Sequence, residues 1–161
     1  MTAALVIRPM EQADLPAVSA LAGALVRLHH RWDEQRFFLP DQVEAGYAWW
    51  LGSQLGEEGV LLLVAQLDGE VAGYLYATLE ERDWGLLRDD CAVLQDIFVD
   101  ERFRRRGVAR RLLEEGLRRL AKLGAPRVVL MSATQNKEAQ ALFASLGFRA
   151  TMVEMTRESG G

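Results

Sequence analysis

The stretch Arg104-Arg105-Arg106-Gly107-Val108-Ala109 opens a long amphipathic segment and carries most of what the sequence says about function. Six arginines fall between Arg102 and Arg111. The start of a helix already bears partial positive charge, so acidic residues are favoured there and cations are mildly destabilising. Arginines clustered at that end imply that an anion is meant to arrive. The unpaired N–H groups of a first helical turn bind phosphate well. Gly107 lets the backbone approach such a ligand closely, and Ala109 adds little bulk. A solvated charged surface is the bland alternative, and the placement at a helix start counts against it. The phosphate is not held in a Walker loop, because Gly-x-x-x-x-Gly-Lys-Ser/Thr is absent. It is not held by a dinucleotide fingerprint either, because three glycines near a first strand are lacking.

Working outward, Gly107 to Leu123 predicts a helix with Ala109, Leu112, Leu113, Leu117 and Leu120 on one face. Gly124 and Pro126 end it. Ala92 to Val99 precedes it as a strand. Arg127 to Met131 follows as another. Asn136 caps a further helix with Ala139, Leu142, Phe143 and Leu146 on its apolar side, and Gly147 closes it. Phe148 to Met155 reads as a last strand.

Toward the N-terminus, Val60 to Leu67 and Val71 to about Leu79 flank Asp68-Gly69, a strong hairpin signal. Leu5-Val6-Ile7 reads as a first strand. Asp14 reads as the N-cap of a helix with Pro16 in its first turn, ending near Leu28. Residues 29–40 read as a loop. Asp41 and Glu44 resemble a capping box for a second helix to about Leu55. The order is β-α-α-β-β-β-α-β-α-β, a mixed α/β sheet with helices on its faces.

Half of the 161 residues are hydrophobic, which suits one domain over residues 1–161. The net charge of −4 argues against nucleic acid as the main partner. Cys91 is the only cysteine, so neither an internal disulfide nor a cysteine-rich metal site is expected. No apolar run reaches the ~20 residues of a membrane span. Met1-Thr2-Ala3-Ala4 lacks a basic region followed by an apolar stretch, so no secretory signal is expected and a cytoplasmic location is the default.

Strand, Arg-x-x-Gly-x-Ala and long helix together resemble the acetyl-CoA motif of the GNAT acetyltransferases. Arg104, Gly107 and Ala109 match it. The strand Leu94-Gln95-Asp96-Ile97-Phe98-Val99 resembles the family's preceding strand. Asn136-x-x-Ala139-x-x-Leu142-Phe143-x-x-x-Gly147-Phe148 resembles its second motif. The resemblance implies a mostly antiparallel sheet and acetyl-CoA as co-substrate. The backbone of Ile97, Phe98 and Val99 is then expected to pair with the pantetheine amides. The N–H groups across Arg104, Arg105, Arg106, Gly107, Val108 and Ala109, with Arg110 beside them, are expected to cradle the pyrophosphate. Asn136 is expected near the pantetheine or thiol, and Phe143 beside the thioester. From the residues alone, Asn136 serves equally as an N-cap and Phe143 as core.

Amine acetylation needs a neutral amine, a polarised thioester carbonyl and a proton for the departing thiolate. In the family a strand amide, here that of Ile97 or Phe98, polarises the carbonyl. The sequence departs from the family at two places. The second motif has Leu142-Phe143 where Leu-Tyr is usual, so that hydroxyl is missing. The strand reads Gln95-Asp96 where polyamine-type members have Glu-Asp. Asp96 is the candidate base or amine-binding group, and it also suits a structural carboxylate. Gln95 is expected on the opposite side of the strand from Asp96. Tyr74, Tyr76, Ser145 and water are the alternative proton donors.

The resemblance places the acceptor between the first two helices and the later strands. His29, His30, Trp32 and Phe37 fall there as a candidate substrate rim, with His30 a possible base; solvated surface histidines are the alternative. No metal is expected. Trp49 and Trp50 read as core and rim packing. The expected function is transfer of acetyl from acetyl-CoA to a primary amine of a small molecule or peptide. The alternative is a catalytically degenerate acyl-CoA-binding sensor or assembly module of the same fold. The resemblance also admits a homodimer.

Overall fold

A computed structural model describes residues 4–160. The elements are β1 (Leu5–Pro9), α1 (Leu15–Trp32), α2 (Val43–Gln54), β2 (Val60–Leu67), β3 (Glu70–Glu80), β4 (Cys91–Val99), α3 (Val108–Lys122), β5 (Val128–Leu130) and α4 (Lys137–Ser145). The strands form one sheet in the order β1-β2-β3-β4-β5. The first four are antiparallel neighbours, and β5 lies parallel to β4. A parallel neighbour requires a crossover, which α3 supplies.

β2 is apolar at almost every position because both of its faces are covered. Leu63, Ala65, Leu75 and Ala77 pack against Leu112, Leu113 and Leu120 of α3. Leu62, Val64, Tyr74 and Tyr76 pack against Val18, Ala22 and Leu51 of α1 and α2. Each wholly buried leucine of α3 contributes about 1.5–3 kcal/mol. The β2–β3 turn has Asp68 at φ 52° and Gly69 at φ 86°. Two successive positive φ values make the primed hairpin turn that Asp-Gly favours.

Local signals misled at several helix ends. α1 runs to Trp32, so His29, His30 and Trp32 are helical rather than in a loop. Asp14 stands at the N-cap position of α1, as expected, but its side chain makes no capping hydrogen bond to the helix. Its carboxylate instead takes the Glu11 N–H at 2.8 Å and the Arg8 guanidinium at 2.7 and 2.8 Å. Asp41 and Glu44 form no capping box: Gln42 stands at the α2 N-cap in left-handed conformation, and Glu44 pairs with Arg27 at 2.6 Å. Trp49 is 73% exposed, so it is not core. Residues 149–158 form no strand. The reading of Met1-Thr2-Ala3 lies outside the described residues.

Candidate active site

The site is built on a defect in β4. The β3–β4 register runs Ala77↔Leu94 and then Tyr76↔Asp96, which leaves Gln95 as an extra residue. Such a bulge re-aims the side chains that follow it. Leu94 faces the α3 side, where it joins the core. Strict alternation would return Asp96 to that side. The bulge puts it on the other face, where Asp96 accepts the Tyr74 O–H at 3.0 Å. Gln95 shares that face, its amide donating to Thr78 Oγ1 at 3.0 Å and Glu80 Oε1 at 3.1 Å. The expectation that the two face opposite sides is therefore wrong, because alternation fails at a bulge.

β5 pairs with β4 only as far as Leu94↔Leu130. From Gln95 to Val99, β4 is thus paired on one side, leaving the backbone of Ile97, Phe98 and Val99 with one open edge. A cleft of about 120 Å³ occupies this gap. Asp96 and Ile97 line one wall, Ser132 and Asn136 another, Phe143 the floor, and His29 reaches in from α1. Asn136 is the N-cap of α4, its Oδ1 accepting the Ala139 N–H at 3.3 Å, and it also lines the cleft. Phe143 stands 5.9 Å from the Phe148 ring, centroid to centroid, and is both core and cleft.

Asp96 is partly buried at the cleft and closely surrounded by protein. Burial pushes its carboxyl above the usual carboxylate range. The Tyr74 hydrogen bond and the nearby His29 pull the other way and are smaller effects. Tyr74 is wholly buried, and burial first, then the Asp96 charge, pushes its hydroxyl far up. Tyr47 of α2 is pushed up by the same two causes in the same order.

His29 is held on three sides. Its Nδ1 lies 2.9 Å from the Leu25 carbonyl, and Trp32 and Phe37 stand edge-on at 4.9 and 5.0 Å. A carbonyl only accepts, so Nδ1 carries a proton and Nε2 is the nitrogen left for a ligand. His30 does not line the cleft; its Nδ1 donates to the Phe37 carbonyl at 2.8 Å and so fixes the segment after α1. Trp32 and Phe37 pack on His29 and do not themselves line the cleft. Ser145 is engaged by the Leu142 carbonyl at 2.6 Å and by Arg110 at 2.8 Å, away from the cleft. Sequence reading missed Tyr47, Ser132 and Ala133. Ser132 and Ala133 follow β5 with no local motif, and Tyr47 is one of several aromatics on α2.

The basic turn leads into α3. Gly107 is the N-cap at φ 74°, and Arg105 is also left-handed at φ 61°. No side chain caps the helix, and its first turn carries no acid. Among the described residues, the N–H groups of Arg105 to Arg110 have no hydrogen-bond acceptor; the first satisfied one is that of Arg111, on the Gly107 carbonyl at 3.0 Å. Arg102 is held by Asp100 at 2.9 Å, and Arg104 packs back over Phe98 at 5.5 Å. Arg105 and Arg106 have no acidic partner among the described residues. An uncapped helix start beside uncommitted guanidinium groups suits a phosphorylated ligand. A larger cavity, about 350 Å³, opens near the start of β4 beside Cys91. Its Glu58, Glu80, Glu81 and Asp90 would repel phosphate.

A bulged, half-open strand, a free-amide turn and a second helix facing the gap belong to an acetyltransferase-type fold. Residues 25–148 match the sequence profile of the acetyltransferase (GNAT) family, and the chain belongs to that family. The human protein N-acetyltransferase 8 is 33% identical over 99 residues, 62% of this chain. The chain spans 43% of the length of that relative. The BH1408 protein of Bacillus halodurans, solved as a tetramutant, superposes with a TM-score of 0.82 at 19% identity, over 96% of this chain and 99% of that one. The aminoglycoside N-acetyltransferase AAC(6')-Iy, solved in complex with CoA, gives 0.71 at 21% identity, over 96% and 98%. At these identities the structural likeness speaks for the fold. No helix among the described residues is long and apolar enough to cross a membrane.

Proposed function

We propose that the protein transfers an acetyl group from acetyl-CoA to a primary amine of a small molecule or peptide. The observation that carries this reading is the half-open stretch of β4, which brings Asp96 to the same gap that Asn136 and Phe143 face. The N–H groups of Arg105 to Arg110 hold the pyrophosphate. The open edge of Ile97 to Val99 takes the pantetheine amides, and one of its N–H groups polarises the thioester carbonyl. Asp96 removes the proton of the attacking amine, directly or through a water. The new C–N bond forms as the C–S bond breaks, and the thiolate takes a proton. Tyr74 is committed to Asp96, and Tyr76 and Ser145 do not line the cleft. Phe143 brings no proton to the thiolate, so the Ser132 hydroxyl of the cleft wall, water or the amine's own proton, relayed, serves.

The test is release of free CoA thiol from acetyl-CoA across a panel of amines, alongside CoA binding by calorimetry. Thiol release with at least one amine supports the transferase. CoA binding without release for any amine replaces it with the sensor or assembly module, which the missing hydroxyl at Phe143 favours. Absence of CoA binding refutes both.

A further inference from the structure

Three sources remain for the proton that the thiolate takes: a hydroxyl, water, or the amine's own proton carried across the cleft. Among the described residues that line the cleft, His29 and Asp96 are the only two with ionisable side chains. Asp96 feels the charge of His29, although they come from different elements, β4 and α1. The cleft is small, about 120 Å³, so a group on one wall lies within a water or two of the other. A serine hydroxyl, like water, gives up its proton at high cost near neutral pH, whereas imidazole exchanges one there readily. Ser132 Oγ also leans on the Ala133 carbonyl at 3.4 Å, and Asn136 is occupied as the α4 cap.

His29 is built to act from one nitrogen. Its Nδ1 proton is held by the Leu25 carbonyl at 2.9 Å, and Trp32 and Phe37 fix the ring edge-on at 4.9 and 5.0 Å. Two aromatic contacts and a hydrogen bond are more than a solvated surface histidine needs, and they leave Nε2 for the cleft. His30, one residue on, is turned to the Phe37 carbonyl. The titratable groups behind Asp96 do not compete: burial pushes the Tyr74 and Tyr47 hydroxyls far up, so they keep their protons.

We propose, on the footing of acetyl transfer, that His29 Nε2 donates the proton to the departing CoA thiolate, the step that Phe143 cannot perform, and that Asp96 reloads it. The amine nitrogen attacks the thioester carbonyl carbon, and its proton passes to Asp96. As the C–S bond breaks, its electron pair stays on sulfur, which takes the Nε2 proton of the His29 imidazolium. The Nδ1 proton stays on the Leu25 carbonyl throughout. Neutral His29 then receives at Nε2 the proton held by Asp96, directly or through a water. One proton has left the nitrogen, one has reached the sulfur, and both side chains are back in their starting forms.

Nitrogen-15 NMR of the histidine rings tests the contact without turnover. The chain has two histidines, so His30 is the internal control. The His29 titration midpoint is expected to differ by at least about 0.5 pH units between the CoA complex and the complex with desulfo-CoA, which lacks the sulfur, while that of His30 does not. The chemical step is tested with His29→Gln, which keeps a donor for the Leu25 carbonyl but releases no proton. In the thiol-release assay its kcat is expected to fall about 10²–10⁴-fold with KM nearly unchanged, and the alkaline limb of the wild-type pH–rate profile is expected to vanish. A His29 titration that is the same with CoA and desulfo-CoA overturns the proposal, as does a folded His29→Gln with wild-type kcat. If the variant loses its circular dichroism, the wild-type titration decides. Thiol release with no amine tells against acetyl transfer itself; a His29 blind to the sulfur tells against the proton relay alone.

Discussion

Asp96→Asn separates chemistry from folding. Asparagine keeps the size of the side chain, and its Oδ1 still accepts the Tyr74 O–H now at 3.0 Å. What is lost is the capacity to take a proton. A positioned general base contributes about 10²–10⁴-fold to rate, which is ~3–5 kcal/mol at about 1.4 kcal/mol per decade. Turnover in the thiol-release assay is expected to fall by that factor, with CoA affinity nearly unchanged because the phosphate site is elsewhere. Stability moves the other way. Burial raises the Asp96 pKa, so the folded chain holds this proton at pH values where the unfolded chain has lost it. Between the ordinary carboxylate value and the raised one, stability therefore falls as pH rises, and above the raised value the fold bears the full cost of the desolvated charge. The neutral amide removes that cost, so the melting temperature at pH 7 is expected to hold or rise. Turnover unchanged within the error of the assay refutes Asp96 as base. A melting temperature that drops sharply together with turnover refutes the view that the charge serves chemistry at the expense of the fold.

Tyr74→Phe removes a hydrogen bond that favours the ionised carboxylate, so the acid limb of the pH–rate profile is expected to move to higher pH; a limb that stays in place excludes Asp96 as its origin. Arg106→Ala is expected to weaken CoA binding by about three- to tenfold at low salt and much less at high salt, since the contact is exposed and screened; calorimetry at two ionic strengths checks this. For Gly116→Ala, the added Cβ would lie 2.8 Å from Leu75 Cδ1 in the core, and overpacking is expected to cost about 1–3 kcal/mol in chemical denaturation. Gly46→Ala on α2 meets nothing within 4 Å and is expected to stabilise by about 0.5–1 kcal/mol in the same assay. Asp14, held below the ordinary range chiefly by Arg8, supports the fold above its unfolded pKa and loses that support as pH falls through its folded one. Asp14→Asn is therefore expected to lower stability at pH 7 by about 1–3 kcal/mol and to flatten its decline in acid; an unaltered acid limb in pH-dependent melts contradicts this.

The sequence by itself determined the elements whose signals are local and whose demands are strict. Asp68-Gly69 accepts two positive φ values, so the hairpin was legible. The α3 stripe of Leu112, Leu113 and Leu120 has one way to face a core, and arginines at an uncapped helix start suit an anion. The tertiary structure alone decided which groups meet. Whether Asp96 faces α1 or α3 turns on one extra residue in β4, and that bulge exists only as a register between strands distant in sequence. Histidines that looked alike in the chain took different work, His29 in the cleft and His30 holding a carbonyl, because an α1 extended to Trp32 points them apart. Residues 149–158 have the composition of a strand, but a strand is completed by its neighbour's hydrogen bonds, and composition cannot supply the neighbour.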